Sequence, residues 1–152
     1  ANCEMPAASL RDTRLIRCDL SNARVRGFQA TRVEFIECRL TGMVATECDW
    51  QDVLVRQCEA GYAQWNDGRL HSCEFQETGM AESDLRGTSL MGTKFAQADL
   101  SRADLRGCAL RDVDLRGARI EGLQVAPEDV RGAIVSPEQA MELARLLGLV
   151  IR

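Results

Sequence analysis

Every fifth residue from Met5 to Val125 is apolar, 25 positions without an exception, in a chain that is 45% hydrophobic overall. A spacing of five is neither the 3.6 of a helix nor the 2.0 of a strand, so it marks an internal repeat. Two residues before each centre stands a small side chain (Ala, Cys, Ser, Thr, Gly or Val) at 22 of the 25 places, the exceptions being Phe28, Met43 and Leu123. All seven cysteines, Cys3, Cys18, Cys38, Cys48, Cys58, Cys73 and Cys108, fall in this second register. Random placement would give them one shared phase roughly once in ten thousand trials. The other places are mostly charged, polar or Gly. Seven of the twelve glycines come two residues after a centre (27, 42, 87, 92, 107, 117 and 122), where a tight turn needs positive φ.

These residues resemble the pentapeptide-repeat family, whose consensus is A(D/N)LXX. Ala98-Asp99-Leu100-Ser101-Arg102 and Ala103-Asp104-Leu105-Arg106-Gly107 match it literally, and the phase covers about four-fifths of the chain. The N-terminal half is more degenerate, with Cys or Val in place of Ala and Glu, Arg or Gln in place of Asp. The resemblance implies an all-β solenoid, a right-handed quadrilateral β-helix with four pentapeptides, hence 20 residues, per coil. Twenty-five pentapeptides then make about six coils, a rod roughly 30 Å long at the usual strand spacing.

A coil of 20 residues stacks residue i on i+20, and close packing forbids two oversized groups in one column without relief. The sequence obeys this. Trp50 falls over Ala30 and Trp65 over Ala45, and Phe28 is followed by Cys48 and Gly68. The column 35, 55, 75, 95 reads Phe, Val, Phe, Phe, which predicts an aromatic ladder.

Residues 1–126 are thus expected to form the β-helix, and 127–152 a capping and dimerisation segment within the same structural unit. Open ends of a stacked sheet invite aggregation, so solenoids cap them. No comparable cap precedes Met5. At the other end Val130 and Val135 keep the phase, and Ser136-Pro137-Glu138-Gln139 reads as a capping box with Pro at the first helical position. An apolar face through Ala140, Met141, Leu143, Ala144, Leu146 and Leu147 follows, with Gly148 as the stop. So short a helix must pack on something. Its candidates for joining two rods are Met141, Leu143, Leu147 and Leu149.

The cysteines carry no C-x-x-C pair and no chelating spacing with His. Cys18, Cys38 and Cys58 stack in one column, but strand spacing exceeds the ~3.8 Å between Cβ atoms of a disulfide. They read as free thiols used as small apolar filler, which points to a reducing, cytoplasmic setting. His71, the only histidine, comes one residue after a centre, faces solvent and has no evident partner to make it a base. Gly-containing stretches follow the repeat rather than a phosphate loop. No run of 18 apolar residues and no basic, apolar leader is present, so neither a membrane span nor a secretory route is expected. The chain is expected to be no enzyme, with no cofactor and no metal.

The net charge of −4 is unevenly spread. Residues 1–33 carry a net +3. Residues 34–84 carry eleven acids against Arg39, Arg56 and Arg69, a net −8. Residues 86–125 carry +2 and the tail −1. The middle of the rod is therefore an acidic belt suited to a basic protein surface, which argues against direct nucleic-acid binding. Members of the family of the Qnr and MfpA types resemble duplex DNA in size and charge, bind DNA gyrase or topoisomerase IV, and end in a helical dimerisation module. The tail here is similar to that module, and the unbroken phase leaves no room for projecting loops, which favours the MfpA type. What the resemblance implies is a non-enzymatic, DNA-mimic-like protein that binds gyrase or topoisomerase IV and protects it from, or modulates it against, quinolone-type inhibitors. Glu34, Glu37, Glu47, Asp49, Asp52 and Glu59 are the expected partner-binding residues. Acidity that is banded, with Arg at both ends, leaves open a structural rod that binds some other protein.

Overall fold

The computed structural model describes residues 8–152; Cys3 and Met5, and with them the start of both registers, lie outside the described residues. The chain winds into a parallel β-solenoid whose neighbouring turns are 20 residues apart. Strands β1 (Ser9–Ile16) and β2 (Gln29–Ile36) pair Ser9 with Gln29 and Leu15 with Phe35. Four shorter strands, β3 (Asp49–Gln51), β4 (Leu54–Arg56), β5 (Arg69–His71) and β6 (Glu74–Gln76), continue the two ladders, and β7 (Lys94–Ala96) extends the second. Four walls result. The first runs through residues 9, 29, 49, 69 and 89, the second through 14, 34, 54, 74, 94, 114 and 134. The third runs through 19, 39, 59, 79, 99 and 119, the fourth through 24, 44, 64, 84, 104 and 124. Parallel crossovers of this kind wind right-handed, and the expected quadrilateral β-helix is the fold.

Centres and small residues point inward and form one continuous core. Trp50, Trp65, Phe35, Phe75 and Phe95 are fully buried, Ala30 pairs with Trp50 across β2 and β3, and the rings run in an unbroken chain. The aromatic column holds in part. Phe75 and Phe95 stack with centroids 5.2 Å apart, but Val55 interrupts the column and Phe35 stacks instead on Trp50 at 5.2 Å. The Phe28–Cys48–Gly68 column is filled to its limit, because a Cβ on Gly68 would lie 2.8 Å from the Cys48 carbonyl oxygen.

Where a corner needs positive φ, the glycines are only part of the answer. Every position two residues after a centre from Asp12 to Gly132 is left-handed, except Pro127, and sixteen of these residues carry side chains. Each such residue costs about 1–2 kcal/mol over glycine. The backbone at these corners is held by the next coil, as in Glu37 N–H to the Arg56 carbonyl at 3.0 Å and Tyr62 N–H to the Ala81 carbonyl at 3.1 Å.

The corners close in two ways, and the difference explains where strands end. At Leu40, Ala60, Leu100 and Leu110 the N–H three residues on bonds back to the centre's carbonyl. At Phe35, Val55 and Leu70 a side chain from the next coil enters the turn. The Cys58 thiol donates to the Phe35 carbonyl at 3.3 Å while accepting from Cys38 N–H at 3.3 Å. Thr78 does the same between Val55 and Cys58, and Thr93 between Leu70 and Cys73. Opened turns leave more of each wall extended, so named strands occupy about four turns rather than the six expected, and single bridges hold the later walls. The small register is therefore more than filler. Burial pushes the Cys48, Cys73 and Cys108 thiols up to about 12 and Cys58 to about 11.

Past residue 126 the 20-residue register persists, with Ile134 bridged to Asp114. A 3-10 turn at Pro127–Val130 buries Asp129, whose carboxylate accepts from Gly107 N–H at 3.0 Å and Ala126 N–H at 3.1 Å. Helix α1 (Pro137–Leu146) starts at the expected capping box. Ser136 accepts from Gln139 N–H, and the Gln139 side chain accepts from Ser136 N–H. Gly148, at φ +93°, ends it with bonds from Gly148 N–H to Arg145 and Leu149 N–H to Ala144. Gln139 also donates to the Leu115 and Ala118 carbonyls at 2.5 and 2.8 Å, which ties the helix to the closed turn at Leu115.

Candidate partner-binding surface

The six expected partner-binding acids do not share a face. Asp49 lies on the first wall, Glu34 on the second and Glu59 on the third, with Asp52, Glu37 and Glu47 at corners between walls. They also differ in charge environment. Arg14 meets Glu34 at 2.8 Å, Arg26 meets Glu47 at 3.0 Å, and Arg17 approaches Glu37 to 3.7 Å. In each case the arginine comes from the preceding turn, so the basic segment 1–33 partly neutralises the belt beside it. Asp49, Asp52 and Glu59 make no ion pair among the described residues. Among the described residues, the Asp52 carboxylate accepts only from the Gln51 amide, at 3.2 Å. Glu59 leans across the third wall to the place a Gly79 side chain would take.

Within 34–84, Asp67, Glu74 and Glu77 join these three as carboxylates outside any ion pair among the described residues, against Arg39, Arg56 and Arg69. Five of the six unpaired acids, Asp49, Asp52, Asp67, Glu74 and Glu77, lie on or at the edges of the first and second walls.

The C-terminal half carries a different pattern. Arg86, Arg106 and Arg116 each grip the aspartate two residues before them, Asp84, Asp104 and Asp114, through two guanidinium nitrogens. These arginine bonds hold all three carboxyls below their ordinary 3.8. A shallow groove of about 430 Å³ lies here, lined by Glu82, Asp84, Arg86, Arg102, Asp104 and Gln124, but its charges are spent on one another.

Two expectations need correction. Leu143 is 7% exposed and packs into the core, so it is taken up within one chain and is not available to join two rods. Met141 and Leu149 remain exposed, at 45% and 63%, with Val150 beside them at 79%, while Leu147 is half-buried. His71 does have a partner, since its Nε2 lies 2.9 Å from the Ser89 hydroxyl. The pair stands on the open first wall, and no carboxylate bonds the other ring nitrogen among the described residues, so nothing there organises a nucleophile. Among the described residues no cluster of three or more His, Cys, Asp or Glu is placed to hold a metal ion, and no helix is long and apolar enough to cross a membrane.

One surface residue escaped the sequence reading. Tyr62, the only tyrosine, is 61% exposed, whereas Phe28, Phe35, Phe75, Phe95, Trp50 and Trp65 are each 2% exposed or less. It stands at a left-handed corner, φ +58°, in a column that elsewhere uses Gly42 and Gly122. Its position in the glycine-bearing register was the available signal.

Comparison with known proteins agrees with the winding. A model described as a pentapeptide repeat region matches residues 8–85, and one described as pentapeptide repeats (8 copies) matches residues 83–122. The chain belongs to the pentapeptide-repeat family. No curated protein matches it. Among solved structures, a trypsin-treated variant of QnrB1, a plasmid-mediated fluoroquinolone resistance protein, is 15% identical over 98% of this chain and 99% of its own, with a TM-score of 0.40. A pentapeptide repeat protein of the Arabidopsis thaliana thylakoid lumen is 17% identical over 70% and 71%, with a TM-score of 0.46. HetL of Nostoc, involved in heterocyst differentiation regulation, is 16% identical over 88% and 90%, with a TM-score of 0.28. The roles named for QnrB1 and HetL are properties of those proteins.

Proposed function

We propose that this rod is a non-enzymatic, cytoplasmic protein-docking module whose partner is DNA gyrase or topoisomerase IV, met through the acidic middle coils. The observation that carries the reading is the set of six carboxylates between 34 and 84 that no arginine neutralises. Carboxylates at regular strand spacing on a rigid rod present a basic cleft with fixed negative charge at no ordering cost, which raises on-rate and specificity. Asp49, Asp52 and Glu59 are the sequence-derived positions best placed for this, while Glu34, Glu37 and Glu47 act through their arginine pairs. Met141, Leu147 and Leu149, with Val150, form the surface through which two rods join.

A supercoiling and drug-induced cleavage assay with purified gyrase, with and without a quinolone, tests the docking. Protection or inhibition at micromolar rod, weakened by Asp49→Lys with Asp52→Lys, is the expected result. Unchanged supercoiling and cleavage would remove the gyrase reading. For the pairing of rods, Leu149→Asp is expected to convert a dimeric mass in solution to a monomeric one; a wild-type monomer at high concentration would end that part. A second reading, a scaffolding rod for some other protein, is favoured by the cross-coil arginine pairs, because a duplex mimic is negative along its whole length.

A further inference from the structure

We propose that Tyr62 anchors an arginine of the docked protein, with Glu59 as its counter-charge. The inference rests on the docking reading for the sign of the partner, a basic protein surface, and not on the identity of that partner. Three observations meet at this corner. The first is residue type: of the sixteen side chains that these left-handed corners carry, Tyr62, at φ +58°, is the one aromatic. An exposed aromatic contributes nothing to the core, and with 61% of its surface in solvent the ring faces whatever docks there. The second is relief. Gly61, Gly79 and Ala81 put little side-chain bulk on the third wall beside this corner, and the Glu59 carboxylate lies over Gly79. The third is charge. Glu59 is exposed, makes no ion pair among the described residues, and lies three residues before Tyr62 within the segment of net −8.

An aromatic face and an unpaired carboxylate on a wall of little side-chain bulk suit a planar guanidinium. Arginine stacks on the ring while its fork reaches the carboxylate, and it sheds water more readily than an ammonium does. Glu82, next in the column, is already held by Arg102 at 3.0 Å and is left out of the slot. Tyrosine and arginine are the residues that most often carry interface energy when paired in this way.

Because Tyr62 is the only tyrosine, ring-labelled protein reports on this site alone. Titration with a hexa-arginine peptide is expected to move the Tyr62 ring resonances, and hexa-lysine to move them much less. Tyr62→Gly suits the corner's φ and keeps the fold; it is expected to weaken peptide binding about tenfold, while Tyr62→Phe changes it less than about threefold. Unmoved ring resonances, equal shifts with hexa-lysine, or equal binding by Tyr62→Gly would overturn the anchor. Gyrase binding is measured in parallel on the same variants. Gyrase that ignores the wild-type rod sinks the gyrase reading and leaves the peptide result to stand. Gyrase that binds wild type and Tyr62→Gly alike sinks the anchor.

Discussion

A cysteine two residues before a centre has the volume of a small filler and the bonding power of a weak hydroxyl, and this fold uses both. Cys58 closes the turn at Phe35 from one coil away, and Thr78, above it in the same column, repeats the arrangement. Removing the Sγ leaves the Phe35 carbonyl and Cys38 N–H without that bridge in a buried place, whereas a hydroxyl can replace it. Cys58→Ala is therefore expected to cost about 1–3 kcal/mol, and Cys58→Thr less than about 1.5 kcal/mol, read as midpoints in urea. Equal losses for both would show that only volume matters. The same burial makes these thiols unreactive. In native protein a disulfide reagent at pH 8 is expected to label Cys18, which is half-exposed, ahead of Cys38, Cys48, Cys58, Cys73 and Cys108. Size was legible in the sequence because a period of five reports which places must be small. Donor chemistry was not, since it depends on which turns open.

Helix α1 shows where local and distant information part. Its start and stop were readable because Ser136, Pro137, Gln139 and Gly148 act on backbone within a few residues of themselves. Its orientation was not. Six apolar residues make a face wide enough to meet either a rod end or a second chain, and the choice is set by bonds spanning more than twenty residues. Gln139 makes that choice: its amide nitrogen reaches the Leu115 and Ala118 carbonyls, and Leu143 is buried as a consequence. Gln139→Leu keeps the helical residue but leaves both carbonyls buried without this donor, at an expected cost of about 1–3 kcal/mol. Hydrogen exchange checks the mechanism. Protection is expected to fall at Ala140, Leu147 and the last coil, and to persist in β2 through β6. Loss of protection spread evenly along the rod would show that α1 is not a separable lock on its end.

Across the whole molecule, charge was the quantity the sequence rendered least well, although the rule for finding it was already in hand. Sums over consecutive residues gave a belt of −8, yet residues 20 apart are neighbours, so Arg14, Arg17 and Arg26 reach into that belt while the acids of the C-terminal half grip arginines two residues on. Those C-terminal pairs make the rod's acid response specific. Bonds from Arg86, Arg106 and Arg116 depress Asp84, Asp104 and Asp114 below their ordinary 3.8. A carboxyl depressed in the folded state contributes its stability above the unfolded value and loses it as pH falls through the lower folded one. The melting temperature is therefore expected to stay level from about pH 7 to about pH 5 and to decline below about pH 4. Asp104→Asn, with the least exposed carboxylate of the three, is expected to melt lower at neutral pH and to lose less on acidification. If wild type and Asp104→Asn decline in parallel below pH 4, the acid sensitivity resides elsewhere, and the paired arginines are surface decoration rather than part of what holds the coils together.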